Sequence, residues 1–302
     1  MDAAQNTRPP ADVWIDVPLV RRLVAAQFPQ WAGLPVAPVE SAGWDNTIFR
    51  LGSELTVRLP RRRVSAEHVG NEHRWLPVLA PQLPLAVPVP LGLGVPGEGY
   101  PWHWTVCPWL TGELAALTPV ADPGRTATSL AQFIGALQAI DAEGGSVHEF
   151  RGLSLAAHEH NTRAAASVLR SSLDIARLLE VWEAALAVPA WTDQPVWMHG
   201  DLHPANLLVA DHQLGAVIDF GLLGVGDPAC DLMIAWTYLP ADSRAVFRGA
   251  LAVDDAIWSR GRGWALQFGV RAAAYSADNP VLGDIGWNTI AEVLADFELT
   301  TS

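Results

Sequence analysis

Three short apolar runs at residues 196–198, 207–209 and 216–218 are each bounded by turn-forming residues. Runs of this length between turn formers predict β-strands. Polar residues follow the first and third runs: His199, Asp201, His203, Asn206 and Asp219. Five polar residues beside buried strands constrain the fold, because the loops that follow these strands must lie close together at one site.

The spacing of these polar residues indicates a particular chemistry. His199-Gly-Asp201-Leu-His-Pro-Ala-Asn206, followed by Asp219-Phe-Gly, has the spacing of the catalytic and metal-binding loops of kinases. Phosphoryl transfer needs one carboxylate to orient the attacking hydroxyl, and an amide oxygen and a second carboxylate to hold Mg²⁺ against the triphosphate. A zinc site at His199-x-Asp201-x-His203 and a buried polar loop without activity are the alternatives. The zinc interpretation leaves Asn206 and Asp219 unexplained.

Residues 197–232 resemble the aminoglycoside phosphotransferase family of small-molecule kinases, whose members carry His-Gly-Asp-x-x-x-x-Asn and then Ile-Asp-Phe-Gly. The continuation Gly226-Asp-Pro-Ala-Cys-Asp231-Leu is similar to the next block of that family. The resemblance implies a bilobal protein-kinase-like fold of the α/β (α+β) class. It implies a small, β-rich, nucleotide-binding lobe over residues 13–109, and a larger, mostly helical lobe with the catalytic loop and acceptor site over residues 110–302.

The same resemblance assigns roles to the polar residues. Asp201 is implied as the catalytic carboxylate, which accepts or orients the proton of the substrate hydroxyl. Asn206 and Asp219 are implied as ligands of Mg²⁺, with ATP or GTP as the phosphoryl donor. Asp231 is expected to accept hydrogen bonds from the backbone of the catalytic loop, and His199 to stabilise that loop rather than to act as an acid or base.

A β-hairpin is predicted over residues 36–60, and kinase-like folds place their phosphate-covering turn between the first two strands. Residues 41–47 occupy that place. They resemble the family's Gly-x-x-Asn-Thr turn at Gly43, Asn46 and Thr47, which are therefore candidate nucleotide contacts. An ordinary hairpin turn is the alternative, because a single glycine is a weak phosphate motif.

The predicted strand at residues 55–59 carries Arg58, where kinases generally use a lysine that binds the α- and β-phosphates. The chain contains no lysine at all. Arginine is always charged and contacts phosphate through two N–H groups, so the replacement is chemically reasonable. A helix is predicted over residues 65–80, and Glu72 matches the family's Glu-x-x-Trp-Leu pattern as the ion-pair partner of Arg58. Glu67 is the alternative partner.

An aromatic strand is predicted over residues 102–110, where kinase-like folds join their lobes. The resemblance places adenine against the carbonyl of Pro108 and the amide of Leu110. Upstream, residues 92–97 match the dinucleotide fingerprint Gly-x-Gly-x-x-Gly, which must open a helix. Glu-Gly-Tyr-Pro follows and breaks helices, so we interpret residues 92–97 as a loop between strands.

The second lobe is predicted to begin with a helix capped by Asp122, with proline at its first position. Apolar residues recur on one face of this helix: Leu130, Phe133, Ile134, Leu137 and Ile140. Two more helices are predicted near residues 155–170 and 172–187, with His158 and His160 on the surface. A short helix and about three amphipathic segments complete the chain.

Family members build their acceptor pockets from these last segments, which makes several residues candidate substrate contacts: Asp254, Asp255, Trp258, Trp264, Tyr275 and Asp278. Carboxylates suit ammonium groups and flat rings suit a sugar face; a core aromatic or a surface acid is the alternative at each position. The expected acceptor is a hydroxyl of an aminoglycoside-like antibiotic. A macrolide, a metabolite alcohol or an amino sugar is the alternative acceptor, and a nucleotide-binding pseudokinase that serves as an interaction module is the alternative function.

The net charge of −13 argues against a nucleic-acid partner, because nucleic-acid binders need a basic face. Residues 191–302 carry fourteen Asp and Glu against five Arg, which favours Mg²⁺ and a cationic acceptor unless these acids serve solubility alone. No apolar run reaches the roughly 18 residues of a membrane helix. Cys107 and Cys230 do not indicate a disulfide framework, and no signal peptide is evident, so a cytoplasmic location is expected.

Overall fold

A β-sheet region followed by a mostly helical region forms the mixed α/β architecture that the sequence predicts. The computed structural model describes residues 9–39 and 44–301. The helices are α1 (Val17–Gln27), α2 (Arg63–Ala66), α3 (Val69–Leu79), α4 (Pro123–Ala139), α5 (Glu159–Val168), α6 (Ile175–Ala187), α7 (Ile234–Thr237), α8 (Ala241–Leu251), α9 (Asp255–Tyr275) and α10 (Pro280–Thr301). The strands are β1 (Val36–Pro38), β2 (Asn46–Leu51), β3 (Leu55–Pro60), β4 (Gly92–Gly94), β5 (Trp104–Pro108), β6 (Glu113–Leu114), β7 (Val196–Met198), β8 (Leu207–Ala210), β9 (Gln213–Val217) and β10 (Gly224–Gly226).

The N-terminal region is an antiparallel five-stranded sheet with the strand order β1-β2-β3-β5-β4. Every residue of the central strand β3 is buried, so a charged side chain on it, such as Arg58, has to find partners in the interior. Helix α1 begins where Asp16 accepts the backbone N–H of Leu19 at 2.9 Å. Its apolar side chains join those of the sheet in one hydrophobic cluster.

Residues 92–94, which we interpreted as a loop, form strand β4 instead and pair with β5. A Cβ atom on Gly94 would overlap the indole ring of Trp104, so this position requires glycine for the close approach of the ring. The residues that follow form turns rather than a helix. The glycine pattern at residues 92–97 therefore reflects packing, not a dinucleotide site.

The helix predicted over residues 65–80 is two helices, α2 and α3. The backbone N–H of His68 bonds the carbonyl of Ser65, three residues earlier, at 3.4 Å. This turn is tighter than that of an α-helix and separates the two segments. Helix α3 buries Glu72 toward the sheet region, while its apolar residues Leu76 and Leu79 join the core of the helical region.

The helical region also contains two small antiparallel sheets, β10-β7 and β6-β8-β9. The loop between β7 and β8 and the loop after β9 carry the predicted site residues. Helix α4 packs against β7 and β9, and α9 and α10 pack against each other. Both predicted loops therefore leave from strands that α4 supports.

The apolar face predicted for α4 is buried. Asp122 caps this helix by accepting the backbone N–H of Arg125 at 2.9 Å, and four of the five predicted core residues are fully buried: Leu130, Phe133, Ile134 and Leu137. Ile140 ends the helix and is half-buried. The surface position predicted for His160 is confirmed, but that predicted for His158 is wrong. A single 3₁₀ turn, Leu155–His158, precedes α5 and turns His158 inward against Phe150 and Trp264.

Cys107 and Cys230 are both free and buried. Among the helices of the described residues, none combines the length and the apolarity that crossing a bilayer requires.

Candidate active site

The loop from His199 to Asn206 is held by a buried carboxylate. Asp231, which is fully buried, accepts the backbone N–H groups of His199 at 2.7 Å and of Gly200 at 2.8 Å. Gly200 has a φ of +82°, and a Cβ atom there would lie 2.6 Å from the carbonyl oxygen of Leu222. Only glycine fits this conformation and this space. Asp231 therefore makes the backbone contacts predicted for it.

Both ring nitrogens of His199 are used inside the loop. Nδ1 accepts the backbone N–H of Asp201 at 3.1 Å, and Nε2 lies 3.0 Å from the carbonyl oxygen of Ile218. A backbone N–H can only donate and a carbonyl can only accept, so the ring carries its proton on Nε2. With both nitrogens occupied, His199 stabilises the loop and has no lone pair for zinc. Within the described residues, no group of three His, Cys, Asp or Glu side chains is arranged to hold a metal ion.

The carboxylate of Asp201 lies close to three side-chain nitrogen groups. Its Oδ2 accepts the amide of Asn206 at 3.2 Å and lies 3.4 Å from Nε2 of His203, and its Oδ1 lies 3.5 Å from Nη2 of Arg151. Burial by itself raises the pKa of Asp201, but His203 and Arg151 outweigh burial and hold that pKa well below its ordinary value. The side chain is therefore an ionised acceptor at neutral pH. It is 27% exposed and so remains open to a ligand.

Asn206 is fixed by its amide nitrogen, which donates to the backbone carbonyl of Asp201 at 2.8 Å and to the carboxylate of the same residue. Its amide oxygen consequently points away from Asp201. The backbone N–H of Ile218 donates to the Asn206 carbonyl at 2.9 Å, which ties the first loop to the second. The residue after Ile218 is Asp219, so Asp201, Asn206 and Asp219 all project from one connected backbone unit.

Asp219 has the left-handed conformation, with a φ of +63°, which is uncommon for a residue with a side chain. Its side chain is 42% exposed, and its Oδ1 lies 3.2 Å from Nη2 of Arg58. Non-glycine residues in this conformation cluster at ligand sites, where the surrounding structure holds them. Asp219 therefore presents a half-exposed carboxylate beside the sheet region.

Arg58 and Glu72 form the ion pair that the sequence predicts. Nη1 of Arg58 lies 2.7 Å from Oε2 of Glu72, and both side chains are buried. Burial by itself lowers the pKa of Arg58, but Glu72 and Asp219 raise it above its ordinary value, so the guanidinium is charged. Burial raises the pKa of Glu72 against the opposing charge of Arg58. The alternative partner, Glu67, lies on the surface, 3.6 Å from Arg63.

The remaining predicted nucleotide contacts lie along the sheet. Asn46 and Thr47 begin β2 and are half-buried, opposite the end of β3, whereas Gly43 lies outside the described residues. Pro108 ends β5 opposite Leu55, and Leu110 follows that strand. These positions border the strand that carries Arg58, but their contacts with a nucleotide stay predictions.

The predicted acceptor residues on the first turn of α9 do not reach Asp201. Asp254 caps α9 by accepting the backbone N–H of Ile257 at 2.7 Å, and Asp255 pairs with Arg248 on the surface. Trp258 is buried against Trp236, with ring centroids 4.5 Å apart. The part of α9 near Asp201 is about three turns further on, roughly 15–20 Å along the helix. These three side chains therefore make contacts within the fold, and their role as acceptor contacts stays a prediction.

Most residues on this side of Asp201 were not predicted from the sequence, but the predicted Trp264 lies there, with its ring centroid 5.4 Å from the guanidinium of Arg151. Arg151, in the segment before α5, contacts both Asp201 and Gln267 of α9, with a distance of 3.0 Å from its Nη1 to Oε1 of Gln267. Phe268 stacks on His203 with ring centroids 4.9 Å apart. Arg271 follows one turn later, close enough for Asp201 and Tyr275 to affect its pKa. The sequence signal was present but indirect, because polar residues on an otherwise buried helix need partners.

Two buried histidines beside this site predict a loss of stability in acid. Burial and the charges of His68 and Arg151 lower the pKa of His148 to about 4, and burial and Arg151 lower the pKa of His158 to about 4. Both remain neutral in the fold where the unfolded chain, with a histidine pKa of about 6.5, already binds protons. The unfolded state therefore gains protons as the pH falls from 6.5 to 4, and the free energy of unfolding decreases.

We expect His158→Phe to reduce the acid dependence of the free energy of unfolding by up to about 1.4 kcal/mol per pH unit within that window. Urea unfolding between pH 7.5 and 4.5 measures this slope. His160→Phe is the matched control, because His160 is exposed and should leave the slope unchanged. Equal slopes for the wild type and His158→Phe would contradict the explanation.

Comparison with known proteins shows the family and the fold of the chain. The profile of the phosphotransferase enzyme family matches residues 37–264. The fold is similar to that of APH(2")-IIia in a complex with GDP and kanamycin, at 19% identity and a TM-score of 0.69, over 92% of this chain and 98% of that chain. It is also similar to that of APH(2")-IIa in a complex with gentamicin, at 17% identity and a TM-score of 0.63, over 93% of this chain and 99% of that chain.

A macrolide 2'-phosphotransferase, MphH from Brachybacterium faecium, is similar at 26% identity and a TM-score of 0.59, over 91% of this chain and 97% of that chain. No curated protein sequence matches significantly. The family profile covers the sheet region, the catalytic loop and the start of α9, which together make up most of the chain. The chain therefore belongs to the phosphotransferase enzyme family.

Proposed function

We propose that the chain transfers the γ-phosphoryl group of ATP or GTP to a hydroxyl group of a small molecule, with Mg²⁺ as the cofactor. The observation that carries this proposal is the connected unit of Asp201, Asn206 and Asp219, joined through the hydrogen bond from Ile218 to Asn206. The two loops that this hydrogen bond joins supply an ionised carboxylate, an amide oxygen and a second carboxylate. These are the groups that phosphoryl transfer requires.

Asn206 and Asp219 fit a magnesium ion. Mg²⁺ prefers oxygen ligands from a small number of side chains and keeps several waters. The amide nitrogen of Asn206 is used by Asp201, so its oxygen is the atom left for a cation. Asp219 is half-exposed and next to Arg58. Bound there, Mg²⁺ would neutralise charge on the phosphates of the nucleotide.

The chain's own residues supply positioning and charge. Asp201 accepts the proton of the acceptor hydroxyl in a hydrogen bond and aims its oxygen at the γ-phosphorus. Arg58, held by Glu72, offers its guanidinium to the α- and β-phosphates in the place where kinases use lysine. Asp231 and His199 keep the catalytic loop in position.

We further propose that residues 13–109 act as the nucleotide-binding lobe and residues 110–302 as the lobe with the catalytic loop and the acceptor site. In this arrangement Gly43, Asn46 and Thr47 cover the phosphates, and the backbone of Pro108 and Leu110 binds the base. A cytoplasmic location, with no nucleic-acid or membrane partner, completes the proposal. Aminoglycosides and macrolides belong among the acceptors to test, because the similar structures include kanamycin and gentamicin complexes and a macrolide phosphotransferase.

Asp219→Asn should weaken the binding of Mg-ATP and Mg-GTP by about tenfold, because it removes one charged ligand of the ion. Binding in the presence of EDTA should change much less. Asp211→Asn is the matched control, since Asp211 also has a positive φ, of +49°, but lies in an exposed turn. Titration with each nucleotide measures both effects. A Mg²⁺ dependence that is the same in Asp219→Asn and in the wild type would refute the assignment.

A further inference from the structure

We infer that the acceptor of this enzyme carries an anionic group, a carboxylate or a phosphate, close to the hydroxyl that is phosphorylated. The inference rests on the proposed phosphotransfer function and adds the chemical class of the acceptor. Four residues carry it: Arg151, which contacts Asp201, and three neighbours that adjoin Arg151 or one another. We call them the acceptor wall: Phe150, Arg151, Gln267 and Arg271.

Arg151 supplies the inner charge of the acceptor wall. Its side chain is 5% exposed and contacts Oδ1 of Asp201 at 3.5 Å and Oε1 of Gln267 at 3.0 Å. Nε of Arg151 and Nε2 of Gln267 are buried donors without an acceptor in the described part of the chain. A ligand cannot touch these two buried atoms, but their unpaired N–H dipoles add to the positive potential beside Asp201.

Arg271 supplies the outer charge. It lies four residues after Gln267 on α9 and therefore on the same face of the helix. Its guanidinium lies 5.0 Å from the ring centroid of Phe150, and among the described residues it has neither a hydrogen bond nor an ion pair. Burial and Arg151 lower its pKa, while Tyr275 and Asp201 act in the opposite direction. Since arginine ordinarily titrates near pH 12.5, Arg271 is still charged at neutral pH.

The charges of the acceptor wall do not cancel. Asp201 balances Arg151, and the neighbouring His148 and His158 are neutral at pH 7 because their pKa values lie at about 4. Among the described residues Arg271 has no ion pair of its own, because Asp201, the carboxylate that acts on its pKa, already pairs with Arg151. The whole chain nevertheless has a net charge of −13. A half-buried guanidinium without a paired anion is unfavourable, and a bound anion removes that cost.

A cationic acceptor fits this wall poorly. Its ammonium groups would meet Arg271 instead of carboxylates, and like charges at short range repel. The carboxylates predicted for ammonium groups, Asp254 and Asp255, lie at the other end of α9 and already have partners. Among the charged groups that act on the pKa of Arg271, another arginine, Arg151, has the largest effect, and it lowers that pKa. The positive charge beside Asp201 therefore favours an acceptor that carries an acidic group, although the whole chain is negatively charged.

Three sugars that differ mainly in charge provide the test: glucuronate, glucose and glucosamine. Each is titrated into protein saturated with Mg²⁺ and a non-hydrolysable ATP analogue. We expect glucuronate to bind at least about tenfold more tightly than glucosamine. Arg271→Gln should weaken the binding of glucuronate by about tenfold and change the affinity for glucose by no more than about twofold. Arg170→Gln is the matched control, because Arg170 is exposed and distant in sequence from the acceptor wall.

Three results would overturn the inference. Glucosamine or kanamycin could bind as tightly as glucuronate, or glucuronate could fail to show saturable binding. Arg271→Gln could also weaken the binding of the ATP analogue instead of that of glucuronate, which would assign Arg271 to the phosphates of the donor. Failure of the proposed function is distinct from all three, because the wild-type protein would then not bind the Mg²⁺–analogue complex at all.

Discussion

Replacing Asp201 with Asn should lower turnover by about 10²–10⁴-fold, the contribution typical of a positioned base. The wild-type carboxylate is ionised, because His203 and Arg151 outweigh the effect of burial on its pKa. An amide of the same size occupies the same space but cannot accept the hydroxyl proton. The loss should therefore appear in kcat, with the affinity for Mg-nucleotide changed by no more than about twofold.

The measurement is ADP or GDP release with kanamycin, erythromycin and glucuronate as acceptors, and with water alone as the background reaction. Asp193→Asn is the matched control, because Asp193 is an exposed aspartate outside the catalytic loop. Both variants carry the same change in net charge, so a general electrostatic effect would alter them equally. Turnover by Asp201→Asn at the wild-type rate would remove Asp201 from the mechanism.

The catalytic loop could be predicted from the sequence because its contacts are encoded locally. His199, Asp201 and Asn206 lie within eight residues, between two strands that turn formers delimit. Asp231 was predicted through a motif rather than through geometry, and the structure explains the motif: its carboxylate takes the two N–H groups of a turn that only glycine can form.

Burial explains why Glu72 rather than Glu67 pairs with Arg58. Arg58 lies on the central strand of the sheet, where every side chain is enclosed, so its partner has to come from the buried face of α3. Glu67 lies in the turn between α2 and α3 and faces solvent. The Glu-x-x-Trp-Leu pattern identified the correct residue because its apolar residues lie on the same inward face of α3 as Glu72.

The acceptor wall could not be predicted, because its residues are far apart in sequence and no periodicity connects them. Arg151 precedes Asp201 by 50 residues, and Gln267 follows it by more than 60. Helix α9 is buried on nearly all sides, so it has no polar stripe that would show which face meets Asp201. The sequence also could not show that Asp254 caps α9, since a cap aspartate and a ligand aspartate look alike in a sequence.

Replacing Arg58 with Met should reduce the free energy of unfolding by about 3–5 kcal/mol at neutral pH, because it leaves Glu72 buried without its cation. Burial already raises the pKa of Glu72, and removal of Arg58 raises it further. A carboxyl group whose pKa is higher in the fold than in the unfolded chain destabilises the fold when ionised. The deficit should therefore be largest above that raised pKa and should vanish as the pH falls below about 4, where both states are protonated.

Urea unfolding of the wild type and Arg58→Met from pH 8 to pH 4.5 measures this deficit. The double variant Arg58→Met/Glu72→Leu should recover most of the lost stability, because an apolar pair replaces a buried ion pair at little cost. Its affinity for Mg-ATP should nevertheless stay low, since neither variant offers a cation to the α- and β-phosphates. Arg58→Lys keeps the charge and should fall between the wild type and Arg58→Met in both measurements. If Arg58→Met were as stable as the wild type, the ion pair would not hold α3 against the sheet. If the double variant bound Mg-ATP with the wild-type affinity, Arg58 would not contact the nucleotide. The two roles of one arginine are thus separable, because only the structural one can be replaced by apolar packing.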